Sequence, residues 1–100
     1  MFILTPKFLK MYRLSYTAEA NSQINELIPK IQRQLKAAIE RIAEHPDIGK
    51  RLVRELTGYW SYSSGDYRVI YQVFHKQVVV FIVTVGDRKN VYEKLTRRLS

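Results

Sequence analysis

Three segments rich in β-branched and aromatic residues follow one another in the second half of the chain, separated by short turns. They are residues 59–63, 67–74 and 78–85, and the turns between them are three residues long. Strands joined by such short connections pair antiparallel with their neighbours in sequence. Residues 78–83 are apolar at every position, which is typical of a strand buried on both faces. The sequence therefore predicts a three-stranded antiparallel meander that is covered by other elements.

The first half of the chain predicts a strand followed by two helices. Apolar and polar residues alternate over residues 12–16, and Thr17 then offers its hydroxyl as a helix N-cap. Beyond Thr17, apolar residues recur at the three- and four-residue steps of a helix: Ile24, Leu27, Ile28, Ile31, Leu35, Ala38, Ile39 and Ile42. Pro29 interrupts this stripe, so we expect a second helix with Pro29 in its first turn, ending before Pro46.

The remaining segments predict a basic connection and a short last helix. Residues 46–58 lack a clear period and carry several basic side chains. Asn90 and Glu93 have the spacing of an N-cap and N3 pair ahead of an apolar helix face. The expected order is β-αα-βββ-α, an α+β fold with an antiparallel sheet, two N-terminal helices and a short C-terminal helix.

Length and composition limit the kinds of protein that fit. One hundred residues with 46% hydrophobic side chains predict a single domain over residues 1–100, with residues 1–10 as an N-terminal extension and Met11 as an alternative start. No apolar run is long enough to cross a membrane. The chain has no cysteine, which excludes disulfides and cysteine nucleophiles and favours the cytoplasm. A net charge of +8 predicts a nucleic acid or an acidic protein as partner.

Arg68 stands in the middle of a predicted strand. Its apolar neighbours Val69, Tyr71 and Val73 share one face, so Arg68 points to the other. A guanidinium in that position either pairs with a carboxylate such as Asp66 or Asp87 or stays free to bind a phosphate through two hydrogen bonds.

A second group of candidate residues lies where the last strand gives way to the last helix. Arg88 and Lys89 follow the apolar strand, and Tyr92 falls in the first turn of the helix. A helix N-terminus exposes N–H groups and carries partial positive charge, so this corner is suited to bind phosphate. The alternative is a solvated loop in which Tyr92 caps the core.

Four stretches of this half, SSGDYRVIYQV (63–73), VVVFIV (78–83), VGDR (85–88) and VYE (91–93), resemble the RelE/ParE toxin superfamily. The resemblance covers residues 12–99, is strongest from 65 to 92, and leaves out residues 1–10. It implies a microbial-RNase-like fold and a toxin of a type II toxin–antitoxin system. It also implies three kinds of partner: a cognate antitoxin, the ribosome with its messenger RNA, and operator DNA bound through the antitoxin.

The resemblance further implies an activity. RelE-like members cut messenger RNA in the ribosomal A site without a metal or other cofactor, through attack of a 2′-hydroxyl on the neighbouring phosphate. Arg68 and Arg88 match the family's arginines and are expected to stabilise phosphate charge. Tyr92 matches the tyrosine of the last helix and is expected to orient the 2′-hydroxyl, stack on a base or exchange a proton.

The sequence departs from the RelE pattern on the strand before the glycine turn. RelE carries lysines there, whereas this chain has Ser61 and Ser63 on one face. The preceding connection carries three cations, Lys50, Arg51 and Arg54. Three roles are open for them: replacing the missing charge, contacting ribosomal RNA, or lying on a solvated surface. We group them with Ser61, Ser63 and Lys89 as expected RNA or ribosome contacts.

Two other functions remain open from the sequence. The chain is alternatively a ParE-like module that inhibits DNA gyrase without cutting nucleic acid, which the missing lysines favour, or an inactive relative that binds its antitoxin. The two histidines, His45 and His75, lack partners typical of a catalytic pair or a metal site and are expected to be structural.

Overall fold

A computed structural model describes residues 11–99 of the chain, so the expected extension at residues 1–10 lies outside the described part. The predicted order of helices and strands is confirmed, with one short strand added in the basic connection. The elements in chain order are β1 (Arg13–Tyr16), α1 (Ala18–Asn25), α2 (Pro29–Glu44), β2 (Lys50–Arg51), β3 (Trp60–Ser64), β4 (Tyr67–Phe74), β5 (Val79–Asp87) and α3 (Val91–Leu99). Single 3-10 turns at Pro46–Ile48 and Arg54–Leu56 flank β2.

The five strands form one sheet in the order β1-β5-β4-β3-β2. The meander β3-β4-β5 is antiparallel as predicted, and β2 adds antiparallel to β3. The expected antiparallel pairing holds for β2 to β5, whereas β1 pairs parallel to β5. The two helices that follow β1 carry the chain back across the sheet before β5 is reached, and apolar alternation does not encode the direction of the partner strand.

Each face of the sheet carries its own hydrophobic cluster. The first cluster joins the sheet to α1 and α2 and contains Ala20, Leu35, Ile39, Ile42, Val69, Tyr71, Val80, Ile82 and Val85. The second joins it to α3 and contains Ile70, Val83, Val91 and Leu95. We call these the α1–α2 face and the α3 face. The expectation that β5 is buried on both sides is therefore confirmed.

A β-bulge in β5 keeps its apolar residues on the correct faces. Ile70 pairs with Thr84 and Tyr71 pairs with Ile82, which leaves Val83 as an extra residue. An extra residue reverses the alternation of side chains along a strand. As a result, Ile82 before the bulge and Val85 after it both pack in the first cluster, whereas Val83 packs in the second.

The predicted helix starts are confirmed by their caps. The Thr17 hydroxyl accepts a hydrogen bond of 2.9 Å from the Ala20 N–H, and Pro29 occupies the first turn of α2. Ile28 departs from the predicted apolar stripe: it has extended backbone angles ahead of Pro29 and is 64% exposed. The residue before a proline is disfavoured in the helical conformation, so Ile28 ends the linker instead of joining the helix face.

Two turns differ in detail from the prediction. Ser64 pairs with Tyr67 in the sheet, so the β3–β4 turn consists of Gly65 and Asp66, and Gly65 has a φ of +59°. Val78 has a φ of 57° and ends the β4–β5 turn, so β5 starts one residue later than expected.

At the start of α3, the Asn90 side-chain amide donates to Asp87 at 3.3 Å, while the Asn90 carbonyl accepts from the Lys94 N–H at 3.0 Å. In the described part of the chain, no helix has the length and apolarity needed to cross a membrane.

Candidate active site on the α3 face of the sheet

Cross-strand pairs bring the predicted polar residues onto the α3 face. Ser61 pairs with Ile70 on one side and with Lys50 on the other. Ile70 belongs to the second cluster, and directly paired residues of adjacent strands project to the same face. Lys50 and Ser61 therefore share the α3 face. Two residues further along β3, Ser63 pairs with Arg68 on this same face.

The hydroxyls of Ser61 and Tyr92 connect the sheet to α3. Ser61 Oγ lies 2.8 Å from the Tyr92 OH, and Ser61 is buried, with 6% exposure. Tyr92 is half-buried against the second cluster. Gly86 allows the start of α3 to lie close to β5, since a Cβ at this position would lie 3.4 Å from two side-chain carbons of Val91. Because Val91 packs closely against Gly86, the residue after Val91, Tyr92, lies over the sheet.

Arg68 is half-buried on the same face, opposite Ser63 and two residues along the sheet from Ser61, and is held by backbone carbonyls. Its Nη1 donates to the Gly65 carbonyl at 3.2 Å and to the Tyr67 carbonyl at 3.1 Å. Between residues 11 and 99 the ion pairs are Arg97–Glu93 and Arg98–Glu19, so pairing of Arg68 with Asp66 or Asp87 is not observed. The guanidinium keeps several N–H donors available for a phosphate.

Arg88 is exposed at the same end of the sheet. Its N–H donates to the Asp66 carbonyl at 2.9 Å, which extends the β4–β5 ladder by one position. Asp66 and Arg88 line a shallow depression of about 360 Å³ together with Asp87, Lys89 and Asn90. The structure therefore brings Arg88 and Lys89 into one corner with the start of α3, as predicted.

Asp87 fixes this corner. Its Oδ1 accepts hydrogen bonds from the Lys89 N–H at 3.0 Å and from the Asn90 N–H at 3.1 Å. Slight loss of solvent raises the pKa of Asp87, but hydrogen bonds from Lys89 and Asn90 lower it more. The positive charge of Lys94 acts in the same direction, so the pKa lies below the ordinary value of 3.8. Asp87 is thus occupied with holding the turn.

The basic connection divides between the two faces of the sheet. Lys50 lies on the α3 face, whereas Arg51 pairs with Trp60 on the α1–α2 face. The Arg51 Cζ lies 5.1 Å from the centre of the Trp60 ring, and that ring stacks on Tyr71 at 6.1 Å. Arg54 is exposed in a 3-10 turn with a φ of 57°. Of the three cations, the structure brings Lys50 to the site and directs Arg51 away from it.

The backbone of β2 is held in place by Tyr71, which the sequence pattern identified only as one of the residues on the apolar face of β4. The Tyr71 OH donates to the Pro46 carbonyl at 2.7 Å and accepts from the Gly49 N–H at 3.0 Å. Burial raises the pKa of Tyr71 to about 12, an effect that the Gly49 N–H opposes in part. The sequence signal for this close contact is Gly49, the residue before Lys50. A Cβ at Gly49 would lie 2.5 Å from the Tyr71 OH and 2.8 Å from the Ser61 carbonyl oxygen.

Neither histidine lies in the site. His45 ends α2, and its N–H donates to the Arg41 carbonyl at 2.9 Å. His75 lies in the β4–β5 turn, where its Nδ1 is 2.8 Å from the Tyr12 OH. Within residues 11–99, no cluster of three or more His, Cys, Asp or Glu side chains could hold a metal ion.

Known proteins that are similar to this chain include bacterial toxins. Residues 3–92 match the family model described as the ParE toxin of the type II toxin–antitoxin system parDE, starting within the segment that the motif resemblance left out. The chain is 29% identical over 92 residues to the mRNA interferase toxin RelE of Escherichia coli K12, covering 88% of this chain and 97% of RelE. It is 31% identical over 88 residues to toxin RelG of Mycobacterium tuberculosis, covering 83% of this chain and 98% of RelG.

The fold has a counterpart in a solved toxin–antitoxin complex. The structure is similar to a chain of the RelBE2 complex from Mycobacterium tuberculosis, with a TM-score of 0.67 and 32% identity. The similarity covers 77% of this chain and 91% of that one.

Proposed function

Because the chain belongs to the ParE toxin family of type II toxin–antitoxin systems, we propose that it is a toxin that cuts messenger RNA in the ribosomal A site. The observation that supports this proposal is the arrangement of polar residues on the α3 face. There Arg68, which forms no ion pair with Asp66 or Asp87, lies two residues along the sheet from the Ser61–Tyr92 hydroxyl pair, with Arg88 at the same end of the sheet. Support also comes from the RelE relative, whose name describes an mRNA interferase.

The chemistry of RNA cleavage assigns a role to each of these groups. The 2′-oxygen forms a bond to phosphorus and the bond to the 5′-oxygen breaks, leaving a cyclic phosphate and a 5′-hydroxyl. The 2′-hydroxyl loses a proton and the leaving oxygen gains one. Negative charge collects on the phosphate in between, where Arg68 and Arg88 would stabilise it. Tyr92, held by Ser61, would orient the 2′-hydroxyl.

RNA and ribosome contacts would extend from the site over its basic rim. Lys50, Ser63 and Lys89 are exposed around Arg68 and Arg88 and can contact a phosphate backbone without reading sequence. Ser61 is buried and would act indirectly, by holding the Tyr92 hydroxyl in place. Arg51 lies on the opposite face and Arg54 lies in an exposed 3-10 turn outside the strands, so we assign them to ribosomal RNA instead of the scissile nucleotide.

The expected partner is a cognate antitoxin that neutralises the site in the cytoplasm. A net charge of +8 and the exposed Arg88 corner fit an acidic or amphipathic antitoxin segment. The RelBE2 neighbour is a toxin–antitoxin complex, which supports such a partner. Through its antitoxin the complex is proposed to bind operator DNA. The protein encoded beside this chain should raise its melting temperature, and no shift would count against the pairing.

Primer extension on a message in a reconstituted translation reaction tests the nuclease. We expect new RNA ends with ribosomes and wild-type protein, and none on naked RNA. Arg68→Ala should abolish most of the cleavage, whereas Arg13→Ala, which removes an exposed arginine from the edge strand β1, should not. Equal cleavage by wild-type and Arg68→Ala protein would reject the assigned site.

A second candidate function is inhibition of DNA gyrase. The family description names ParE, and β3 carries no lysine, both of which favour a toxin that does not cut RNA. A supercoiling assay with pure protein separates the two. Loss of gyrase activity without RNA ends would replace the nuclease proposal, and intact gyrase together with ribosome-dependent ends would support it.

A further inference from the structure

A phosphate that reacts beside Ser61 and Tyr92 needs a cation at that position on the sheet. Arg68 pairs with Ser63, which lies two residues along β3 from Ser61, or roughly 6.6 Å at the rise of a strand. On the row of Ser61 itself, Ile70 of β4 is apolar and fully buried. The remaining partner on this row is Lys50 of β2.

The register places Lys50 next to the hydroxyl pair. Directly paired residues of antiparallel strands have Cβ atoms about 4.5–5.5 Å apart and share one face. Lys50 is exposed, and neither of the ion pairs found in residues 11–99 includes it. Its ammonium is therefore not held by a carboxylate and is within reach of a substrate that contacts Tyr92.

The backbone under Lys50 is anchored on both sides, so this placement does not depend on a mobile loop. Before it, the Gly49 N–H donates to the buried Tyr71 OH, which also donates to the Pro46 carbonyl. After it, the Leu52 N–H donates to the Tyr59 carbonyl at 2.9 Å. These hydrogen bonds fix the backbone of Lys50 and therefore the face of the sheet to which its exposed side chain points.

We propose that Lys50 is a catalytic residue of the RNA cleavage described above, supplying from β2 the positive charge that β3 lacks. The ammonium contacts a non-bridging oxygen of the reacting phosphate, opposite the side reached by Arg68. This inference rests on the proposed nuclease function and adds to it a third cation, positioned by strand register. Lys36 is the matched control, because it is an exposed lysine on α2, which covers the opposite face of the sheet.

The test is single-turnover cleavage of a ribosome-bound message at saturating toxin, with ribosome binding measured separately. Lys50→Ala should lower the cleavage rate constant about 100-fold or more, the loss typical of one charge-stabilising donor. Lys36→Ala should stay within about threefold of wild type under the same saturating conditions. Both variants should keep the wild-type melting temperature, since Lys50 and Lys36 are exposed.

Chemical rescue tests whether the cleavage rate depends on the positive charge of the Lys50 side chain and not on its shape. The chain has no cysteine, so Lys50→Cys creates a single thiol. Alkylation with 2-bromoethylamine rebuilds an ammonium at nearly the length of lysine, and we expect it to restore most of the lost rate. Alkylation with iodoacetamide, which adds a neutral amide, should restore none.

The outcomes separate the two proposals. Wild-type protein that produces no RNA ends rejects the nuclease function itself. Active wild-type protein with an undiminished Lys50→Ala rate constant overturns the role of Lys50 alone. Equal rescue by the neutral and the charged adduct would also overturn it, as would a defect confined to ribosome binding.

Discussion

The Ser61 Oγ and the Tyr92 OH lie 2.8 Å apart and form the polar contact between β3 and the start of α3. The two residues are 31 positions apart in the chain. Their contact joins the C-terminal helix to the sheet at the place where a substrate would meet both arginines. Four predictions follow from this arrangement and from the contacts that hold it.

The first concerns the Ser61–Tyr92 bond itself. Ser61→Ala and Tyr92→Phe should each lower the free energy of unfolding by about 1 kcal/mol, because each removes one partner of a half-buried hydrogen bond. The double variant should lose less than the sum of the two, by roughly 0.5–1.5 kcal/mol. Urea unfolding of all four proteins measures this coupling, and strictly additive losses would contradict the bond.

The second concerns Arg88. Arg88→Ala should slow cleavage about 100- to 1000-fold, a loss of roughly 2.7–4 kcal/mol of transition-state stabilisation. The control is Arg97→Ala, which removes an exposed arginine whose guanidinium lies 4.0 Å from Glu93 on α3. It should leave the rate within about threefold. A rate that falls equally in both variants would indicate a general effect of net charge.

The third concerns the anchor beneath β2. Tyr71→Phe should lower the free energy of unfolding by about 1–3 kcal/mol, because the Gly49 N–H and the Pro46 carbonyl lose their shared partner. Tyr12→Phe removes an exposed hydroxyl bonded to His75 and should change stability by less than about 0.5 kcal/mol. Equal stability of the two variants would show that the buried hydroxyl does not hold the loop.

The fourth concerns the pH dependence of the Asp87 turn. The folded-state pKa of Asp87 is lowered, so the charged carboxylate adds stability that is fully present above the unfolded value of 3.8. This stability is lost as the pH falls through the lower folded-state pKa. Asp87→Asn should therefore melt at a lower temperature than wild type at neutral pH, and the difference should shrink below pH 3.8. Melting curves at several pH values check it, and a difference that grows in acid would reverse the sign.

Much of the local structure was predictable because its causes lie close together in the chain. The threonine cap ahead of α1, the proline that starts α2 and the short turns of the meander depend on neighbouring residues. The cap and the proline are found where the sequence indicates, and each turn differs from its predicted length by one residue. The faces of β4 were also predictable, since side chains alternate strictly along a regular strand. The candidate residues Arg68, Arg88 and Tyr92 came from this local information and from family motifs.

Tertiary structure decided what depends on partners distant in the chain. The parallel pairing of β1 with β5, the extra strand β2 and the bulge at Val83 follow from how separate segments meet, which no local pattern encodes. The same holds for the basic connection: its sequence lists three cations without distinguishing them. Strand register alone places Lys50 beside Ser61 and Arg51 on the far face, because a shift of one residue moves a side chain to the opposite side of a sheet.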